Sequence, residues 1–248
     1  MITAGVDLAA QPERTAVATI KWTAGCAIIE NVACRADDEV ILQVVKQADK
    51  TGIDCPFGWP TAFVSFVTSH QAGHVSIPSD WPSSGNLARR RTDVFVHEQL
   101  HLTPLSVSAD RIAHVAFRCA VLLAKLDAAG APVDRSGSGP VAEVYPAASL
   151  RRWGLTHHGY KQKTSTDVLG MIIDHLRHEA PWLDYAKHEQ TMRRSHDVFD
   201  AVIAAMTARA AALGQTFPPT GDDLAAATAE GWIVIPDRPI SELVQAYP

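Results

Sequence analysis

Five acidic residues occupy positions where a carboxylate calls for a chemical explanation. Asp7 interrupts an otherwise apolar predicted strand, Asp54 ends the short apolar run TGIDC, and Glu143 lies in VAEVYP, at another predicted strand. Asp197 and Asp200 are three residues apart in a predicted helix and therefore share one of its faces. Oxygen ligands that converge from separate elements are what hard divalent cations require. The pattern predicts a site for two ions of Mg²⁺ or Mn²⁺ about 4 Å apart.

Not all five carboxylates need a metal equally. Asp200 lies in the run VFDAVI, and a carboxylate among apolar neighbours is costly unless it is paired, protonated or bound to metal. Asp197 has an alternative role, because an acidic residue near a helix N-terminus interacts favourably with the helix dipole. Asp7 and Asp54, each taken alone, have the alternative of a turn or capping residue.

Basic residues in a long irregular stretch predict a phosphate-binding surface near the acidic cluster. Guanidinium groups bind phosphate in a bidentate manner, so the run RRRTD has the composition of a phosphate clamp. Arg151, Arg152 and Lys161 could extend the same predicted patch. The predicted phosphate- or substrate-binding set is Arg89, Arg90, Arg91, Asp93, Arg151 and Lys161. The alternative is a solvated basic loop that balances an acidic protein.

A second metal pattern competes with the acidic cluster. HEQLH, which begins at His97, matches H-E-x-x-H, in which two histidines one helical turn apart bind Zn²⁺ and the glutamate acts as base. Pro104 closes the predicted helix soon after the motif, and the extended zinc-hydrolase pattern is absent. Zinc hydrolysis through His97, Glu98 and His101 is kept as a lesser alternative.

The elements expected to position these residues follow from the hydrophobic pattern. Strands are predicted at 2–9, 14–22, 25–33, 51–55, 140–145 and 231–236, and helices at 37–49, 61–69, 108–130, 165–178 and 196–213. Ser108 and Ser195 are the predicted N-caps of the third and fifth helices. Irregular structure is expected over about 57–106, apart from the helix at 61–69, and again from the run SLRRWG. The opening order of strand, strand, strand, helix, strand resembles that of a ribonuclease H-like sheet.

Composition narrows the class of protein. The chain has 248 residues, of which 47% are hydrophobic, enough for a single α/β domain over 1–248 with an insertion at about 57–106. A net charge of −5 argues against a broad duplex-binding surface, so contact with a nucleic acid or nucleotide should be local. No membrane span, signal peptide or C-x-x-C pair is present, which favours a cytoplasmic protein without a membrane partner.

Seven motifs in order carry a resemblance that runs almost end to end. They are GVDLA, GIDCPFGWP, RRRTD, PLSVSADRI, AEVYPAASLRRWG, HDVFDAVIAA and EGWIVIP. Together they resemble the family catalogued as domain of unknown function 429, regarded as predicted ribonuclease H-like nucleases. By this resemblance, Asp7, Asp54, Glu143 and the Asp197/Asp200 pair occupy the acidic positions of the family. The pattern D-x-x-D-A is also similar to the last helix of Holliday-junction resolvases.

The resemblance implies an α/β fold, with a mixed sheet of three antiparallel strands followed by parallel strands, flanked by helices. The chemistry it implies is metal-dependent hydrolysis of a phosphodiester by a two-metal mechanism. In that mechanism Asp7 bridges both ions, Asp54 and Asp200 each hold one, and Asp197 or Glu143 completes a shell or orients water. A protein that binds nucleotides, nucleic acids or phosphate without turnover is the alternative. Actin-like phosphotransferases would show Gly-rich phosphate loops in duplicated halves, and the sequence has neither.

Overall fold

Alternating apolar side chains in the N-terminal third build the centre of a mixed β-sheet. The computed structural model describes residues 1–74, 85–162 and 167–245. In this part of the chain the strands are β1 (Ile2–Asp7), β2 (Ala16–Thr23), β3 (Cys26–Cys34), β4 (Lys50–Asp54), β5 (Val141–Val144), β6 (Leu183–Asp184) and β7 (Ile233–Val234). They form one sheet in the order β6-β3-β2-β1-β4-β5-β7.

The direction of the strands changes at β1, and this determines where a site can form. β1, β2 and β3 pair in antiparallel fashion, whereas β4, β5 and β7 continue from β1 in parallel. β1 therefore has the antiparallel strand β2 on one side and the parallel strand β4, which comes later in the chain, on the other. The carboxyl ends of parallel strands at such a point are where open α/β sheets place their ligands. The mixed α/β architecture expected from the sequence is confirmed.

Helices cover both faces of the sheet. Within the described residues they are α1 (Asp38–Gln47), α2 (Thr61–Gln71), α3 (Arg91–Leu100), α4 (Ala113–Ala128), α5 (Pro146–Arg152), α6 (Val168–Glu179), α7 (Glu189–Arg194), α8 (His196–Ala212) and α9 (Asp223–Glu230). Short 3-10 helices span Pro12–Arg14, Gly85–Leu87 and Ile240–Val244. No helix in these described ranges has both the length and the apolar character needed to cross a membrane.

Helix α8 is the central helix of the fold and lies directly on the sheet. Almost all of its residues are buried, including a series of alanines that keep its surface flat. A Cβ added at Gly5 in β1 would overlap the backbone of Ala201, and one at Gly52 in β4 would lie 2.6 Å from the carbonyl oxygen of Ala204. Only glycine allows backbones to approach this closely. The two glycines therefore hold α8 against the middle of β1 and β4.

Three predicted elements differ from those in the structure. Helix α4 begins at Ala113 rather than at Ser108, whose hydroxyl instead donates a 2.7 Å hydrogen bond to the carbonyl of Leu87. The first four residues of the stretch that starts at SLRRWG are helical, because Pro146 occupies the first turn of α5 with its φ already suited to a helix, whereas 153–162 are irregular as expected. Helix α3 lies within the stretch expected to be irregular, and part of that stretch, 75–84, lies outside the described residues.

Candidate metal centre

Asp7 and Asp54 end neighbouring parallel strands and are paired in register. Each lies two residues after a glycine that faces α8, and side chains two apart in a strand point to the same face. Both carboxylates therefore point to the face that α8 covers, where Asp200 lies in the second turn of that helix. Asp7, Asp54 and Asp200 each offer an oxygen, and these atoms lie within 4.8 Å of one another. We call these three residues the acidic triad.

The triad is electrostatically unfavourable without a cation. Burial, followed by the charges of Asp200 and Asp54, raises the pKa of Asp7 well above its ordinary value. Burial raises the pKa of Asp54 to about 7, with a further contribution from Asp200. Burial also raises the pKa of Asp200, which is fully enclosed. Carboxylates in this condition share protons or bind a cation, since an unpaired buried charge is costly.

Two residues that follow one another along the chain contact Asp200. The Tyr160 hydroxyl donates a 2.8 Å hydrogen bond to its Oδ1, and the Lys161 Nζ lies 2.5 Å from its Oδ2. Burial alone would lower the pKa of Lys161, but the charges of Asp200, Asp54 and Asp7 raise it, so the side chain is a cation at neutral pH. Lys161 was predicted from the sequence as a phosphate ligand, whereas the structure brings it to the triad itself.

Two cavities meet at the triad. One, of about 370 Å³, lies on the Asp54 side and is lined by residues that include Tyr145 and His157. The other, of about 480 Å³, lies on the Asp7 side and is also lined by Arg14 and Arg111. Both are lined by Leu105, Ile112 and Lys161. We call the two together the cleft.

The cleft combines acidic and basic groups that the sequence pattern did not connect. Arg14 follows β1 in a short 3-10 helix, and Arg111 precedes α4; both side chains are exposed. Neither guanidinium makes a hydrogen bond or ion pair within the described residues, so both have donors available for an anion. Sequence reasoning missed these two arginines and Tyr160, since no local motif marks them.

A family model with the description "Protein of unknown function (DUF429)" matches residues 5–223. The chain belongs to the DUF429 family. The match includes all three residues of the acidic triad, together with Tyr160 and Lys161. Neither a curated protein nor a solved structure matches the chain.

Asp197 stands beside the triad of this DUF429 chain but makes a different contact. It lies in the first turn of α8, after Ser195, whose hydroxyl caps the helix as predicted by accepting from the Val198 backbone at 3.3 Å. His196 Nδ1 is 2.9 Å from the Asp197 carboxylate. Burial acts to raise the pKa of Asp197, but the contact with His196 and the charges of Arg14 and Lys161 outweigh it and lower the pKa. Asp197 lines the cleft on the Asp7 side as an ionised group.

Glu143 lies on the other face of the sheet from α8. β5 pairs with β4 so that Glu143 is opposite Ile53, not Asp54, and one step along a strand reverses the side-chain direction. Its carboxylate makes a bidentate ion pair with Arg90, at 2.7 and 2.8 Å, and accepts from the Phe57 backbone. Arg90 also pairs with Asp93 at 2.8 Å, and all three side chains are buried. Arg90 and Glu143 also line the Asp54 side of the cleft, but they pair with each other and join α3 to β5, so we do not place Glu143, Arg90 or Asp93 in the reacting centre.

The remaining predicted phosphate ligands lie apart from the triad. Arg91 pairs with Asp223 at 2.7 Å, which joins α3 to α9. The Arg89 guanidinium donates to the carbonyl of Pro104. Arg151 is exposed in the last turn of α5 and, in the described part of the chain, does not line the cleft. Of the predicted set, Lys161 is the residue that reaches the acidic triad.

The HEQLH motif does not form a metal site with the described residues around it. His97 is in the last turn of α3, and His101 follows the helix with a left-handed backbone, φ 54°. The His97 Nδ1 is 3.3 Å from the Thr103 hydroxyl, and Glu98 pairs with Arg91 at 3.2 Å. Among the described residues, the acidic triad is the group of three or more potential ligands that comes together. We therefore do not propose zinc hydrolysis.

Proposed function

We propose that this chain is a divalent-metal-dependent phosphodiesterase or nuclease, whose metal ligands are Asp7, Asp54 and Asp200. The observation that carries the proposal is the convergence of their oxygens to within 4.8 Å from two strands and a helix. Oxygen ligands of this kind suit Mg²⁺ or Mn²⁺. When bound there, such a cation supplies an activated water and neutralises charge on a phosphoryl group.

The free-energy cost of burying three carboxylates together supports a functional role for the acidic triad. Three carboxylates with raised pKa values destabilise a metal-free protein at neutral pH. The rest of the fold keeps them together through the backbone contact of α8 with Gly5 and Gly52. Strain that is retained in this way is typical of sites where binding or chemistry occurs.

Other residues of the cleft have separate roles in the proposed reaction. Asp197 lies 2.9 Å from His196 Nδ1 and has a lowered pKa, so it can orient a water or accept its proton on the Asp7 side. Arg14 and Arg111 can hold the phosphate groups next to the one that reacts, since both have unused guanidinium donors. Tyr160 fixes the position of Asp200 through its hydroxyl.

The dimensions and charge of the chain favour a short substrate. Cavities of about 370 and 480 Å³ fall in the range of about 300–1,000 Å³ that is typical of small-ligand pockets. A net charge of −5 does not suit a broad duplex surface. We therefore propose a mononucleotide, a dinucleotide or a single-stranded segment as the substrate, contacted locally at the cleft. The cytoplasmic location expected from the sequence stays a prediction.

The test is a cleavage screen with Mg²⁺ and with Mn²⁺ over cyclic and linear dinucleotides and over single-stranded, duplex, branched and hybrid nucleic acids. We expect hydrolysis of at least one short or single-stranded substrate, lost in EDTA and in Asp7→Asn. Asp222→Asn, which changes an exposed aspartate in the loop before α9, is the matched control and should retain full activity. Nucleotide binding without turnover across the panel would replace this proposal with a non-catalytic sensor.

A further inference from the structure

The number of cations that the acidic triad can hold depends on a positive charge that the protein already supplies. Three ionised carboxylates carry three negative charges, and the Lys161 ammonium lies 2.5 Å from one of them. One divalent cation together with Lys161 balances these charges. Two divalent cations together with Lys161 would leave two positive charges in excess, or one when the neighbouring ionised Asp197 is counted, at a largely buried site, which is costly.

We propose that the Lys161 ammonium takes the place of the second divalent cation, so that the triad binds a single metal ion between Asp7 and Asp54 with Asp200 as its third ligand. This inference rests on the proposed function, because it specifies how that metal site is completed. It revises the expectation of two ions drawn from the sequence.

The three carboxylates also differ in the partners that they already have within the protein. Asp200 accepts a hydrogen bond from Tyr160 on Oδ1 and makes an ion pair with Lys161 through Oδ2. In the part of the chain that the structure describes, no group donates a hydrogen bond to Asp7 or Asp54. The two carboxylates that are free of donors are the two that end neighbouring strands in register. The carboxylates open to a single metal ion are therefore those of Asp7 and Asp54. Lys161 pairs with Asp200, on the other side of the triad.

The position of Lys161 is fixed by its neighbour, which argues against a chance contact of a mobile surface side chain. Tyr160 is buried, and its ring meets that of Phe199 edge to face at 5.7 Å. Because Phe199 immediately precedes Asp200 on α8, this contact attaches the segment to the same turn of helix that carries the carboxylate. The Lys161 side chain is 51% exposed, because its aliphatic part crosses the open cleft. Its ammonium group contacts the buried carboxylate of Asp200.

This arrangement gives Lys161 a second role towards the substrate. Lys161 lines both cavities, so its ammonium also faces any phosphate group that enters from either side. An ammonium can neutralise charge on phosphoryl oxygens as a point charge, which is a task otherwise assigned to a second ion in two-metal sites. Lys161 would then be a substrate-contacting residue as well as the occupant of a cation position.

Metal stoichiometry tests the proposal without an activity measurement. We would titrate the purified 248-residue chain with Mn²⁺ by calorimetry and count bound ions by electron paramagnetic resonance, at pH 8. We expect one ion per chain in the wild type and in Lys161→Arg, which keeps the charge. In Lys161→Gln we expect a second ion, bound at least tenfold more weakly than the first. Lys187→Gln, which changes an exposed lysine, is the matched control and should bind one ion.

The possible results separate this inference from the proposed function. Two ions in the wild type would overturn the inference and leave the metal-dependent function standing. One ion in both the wild type and Lys161→Gln would also overturn it, because removal of the ammonium would not have opened a cation position. No bound ion in any folded variant would instead contradict the proposed function itself.

Discussion

Asp54→Asn should stabilise the metal-free protein at pH 8, although it removes a metal ligand. Burial, with the charge of Asp200, raises the pKa of Asp54 from 3.8 to about 7. Between these two pH values the folded protein binds a proton that the unfolded chain has released. The free energy of unfolding therefore falls as the pH rises through this window, and the full penalty is present above pH 7.

The size of the effect follows from the pKa difference. Moving a pKa from 3.8 to about 7 corresponds to about 4 kcal/mol for an isolated group. Asp7 and Asp200 share the same protons, so removal of one charge should recover about half of this, or about 2 kcal/mol. In a chain of this size that gain raises Tm by about 4 to 8 °C. At pH 5, only about 1.2 pH units above the unfolded pKa of 3.8, little more than a third of the penalty has developed, so the gain should fall to about 0.7 kcal/mol.

Urea unfolding in EDTA at pH 5 and pH 8 measures this difference. Asp222→Asn, at an exposed position, should stay within about 0.5 kcal/mol of the wild type at both pH values. Glu143→Gln provides the contrast, because it breaks a buried ion pair with Arg90 and should destabilise the protein by about 3 kcal/mol. If Asp54→Asn were no more stable than the wild type at pH 8, the electrostatic reasoning about the triad would be refuted.

Three further predictions concern the cleft and the helix above it. Arg14→Ala and Arg111→Ala should each weaken binding of an anionic substrate about tenfold, measured as KM or as Kd with catalysis blocked by Ca²⁺, whereas Arg238→Ala should have no effect. Equal weakening of binding in all three variants would contradict the assignment of Arg14 and Arg111 to phosphate binding. Gly5→Ala should lower the free energy of unfolding by at least about 2 kcal/mol in urea, because the added methyl overlaps α8; an unchanged midpoint would contradict the close packing. Calorimetric affinity for Mg²⁺ should fall about tenfold per pH unit below about pH 7, where protons compete for Asp54, and a pH-independent affinity would contradict a carboxylate site.

The elements with regular hydrophobic periods were predictable from the sequence. β1, β4 and α8 were all expected, and the Ser195 cap of α8 was assigned from residue type alone. The three triad residues were named from the cost of a charge among apolar neighbours and from the family resemblance. Elements that form through long-range contacts were missed, among them α3, whose Arg91 pairs with Asp223 more than a hundred residues away.

Register and distant partners explain why the site could not be completed from the sequence. The run VAEV does not reveal which face of the sheet Glu143 points to, because that depends on pairing with Ile53 rather than Asp54. The contacts of Tyr160 and Lys161 with Asp200 join segments about forty residues apart, and neither residue belongs to a motif. Side-chain direction and long-range pairing are properties of the fold, not of a local pattern.

The most direct test of the central claim is the position of a bound ion. Crystals grown with Mn²⁺ would locate it by anomalous scattering, and the same data would show the ligand geometry. We predict a peak at coordination distance, about 2.1 to 2.2 Å, from carboxylate oxygens of Asp7, Asp54 and Asp200. A peak at His97 and His101 instead, or no peak at the triad in a crystal saturated with Mn²⁺, would contradict the claim that these three aspartates form a metal centre.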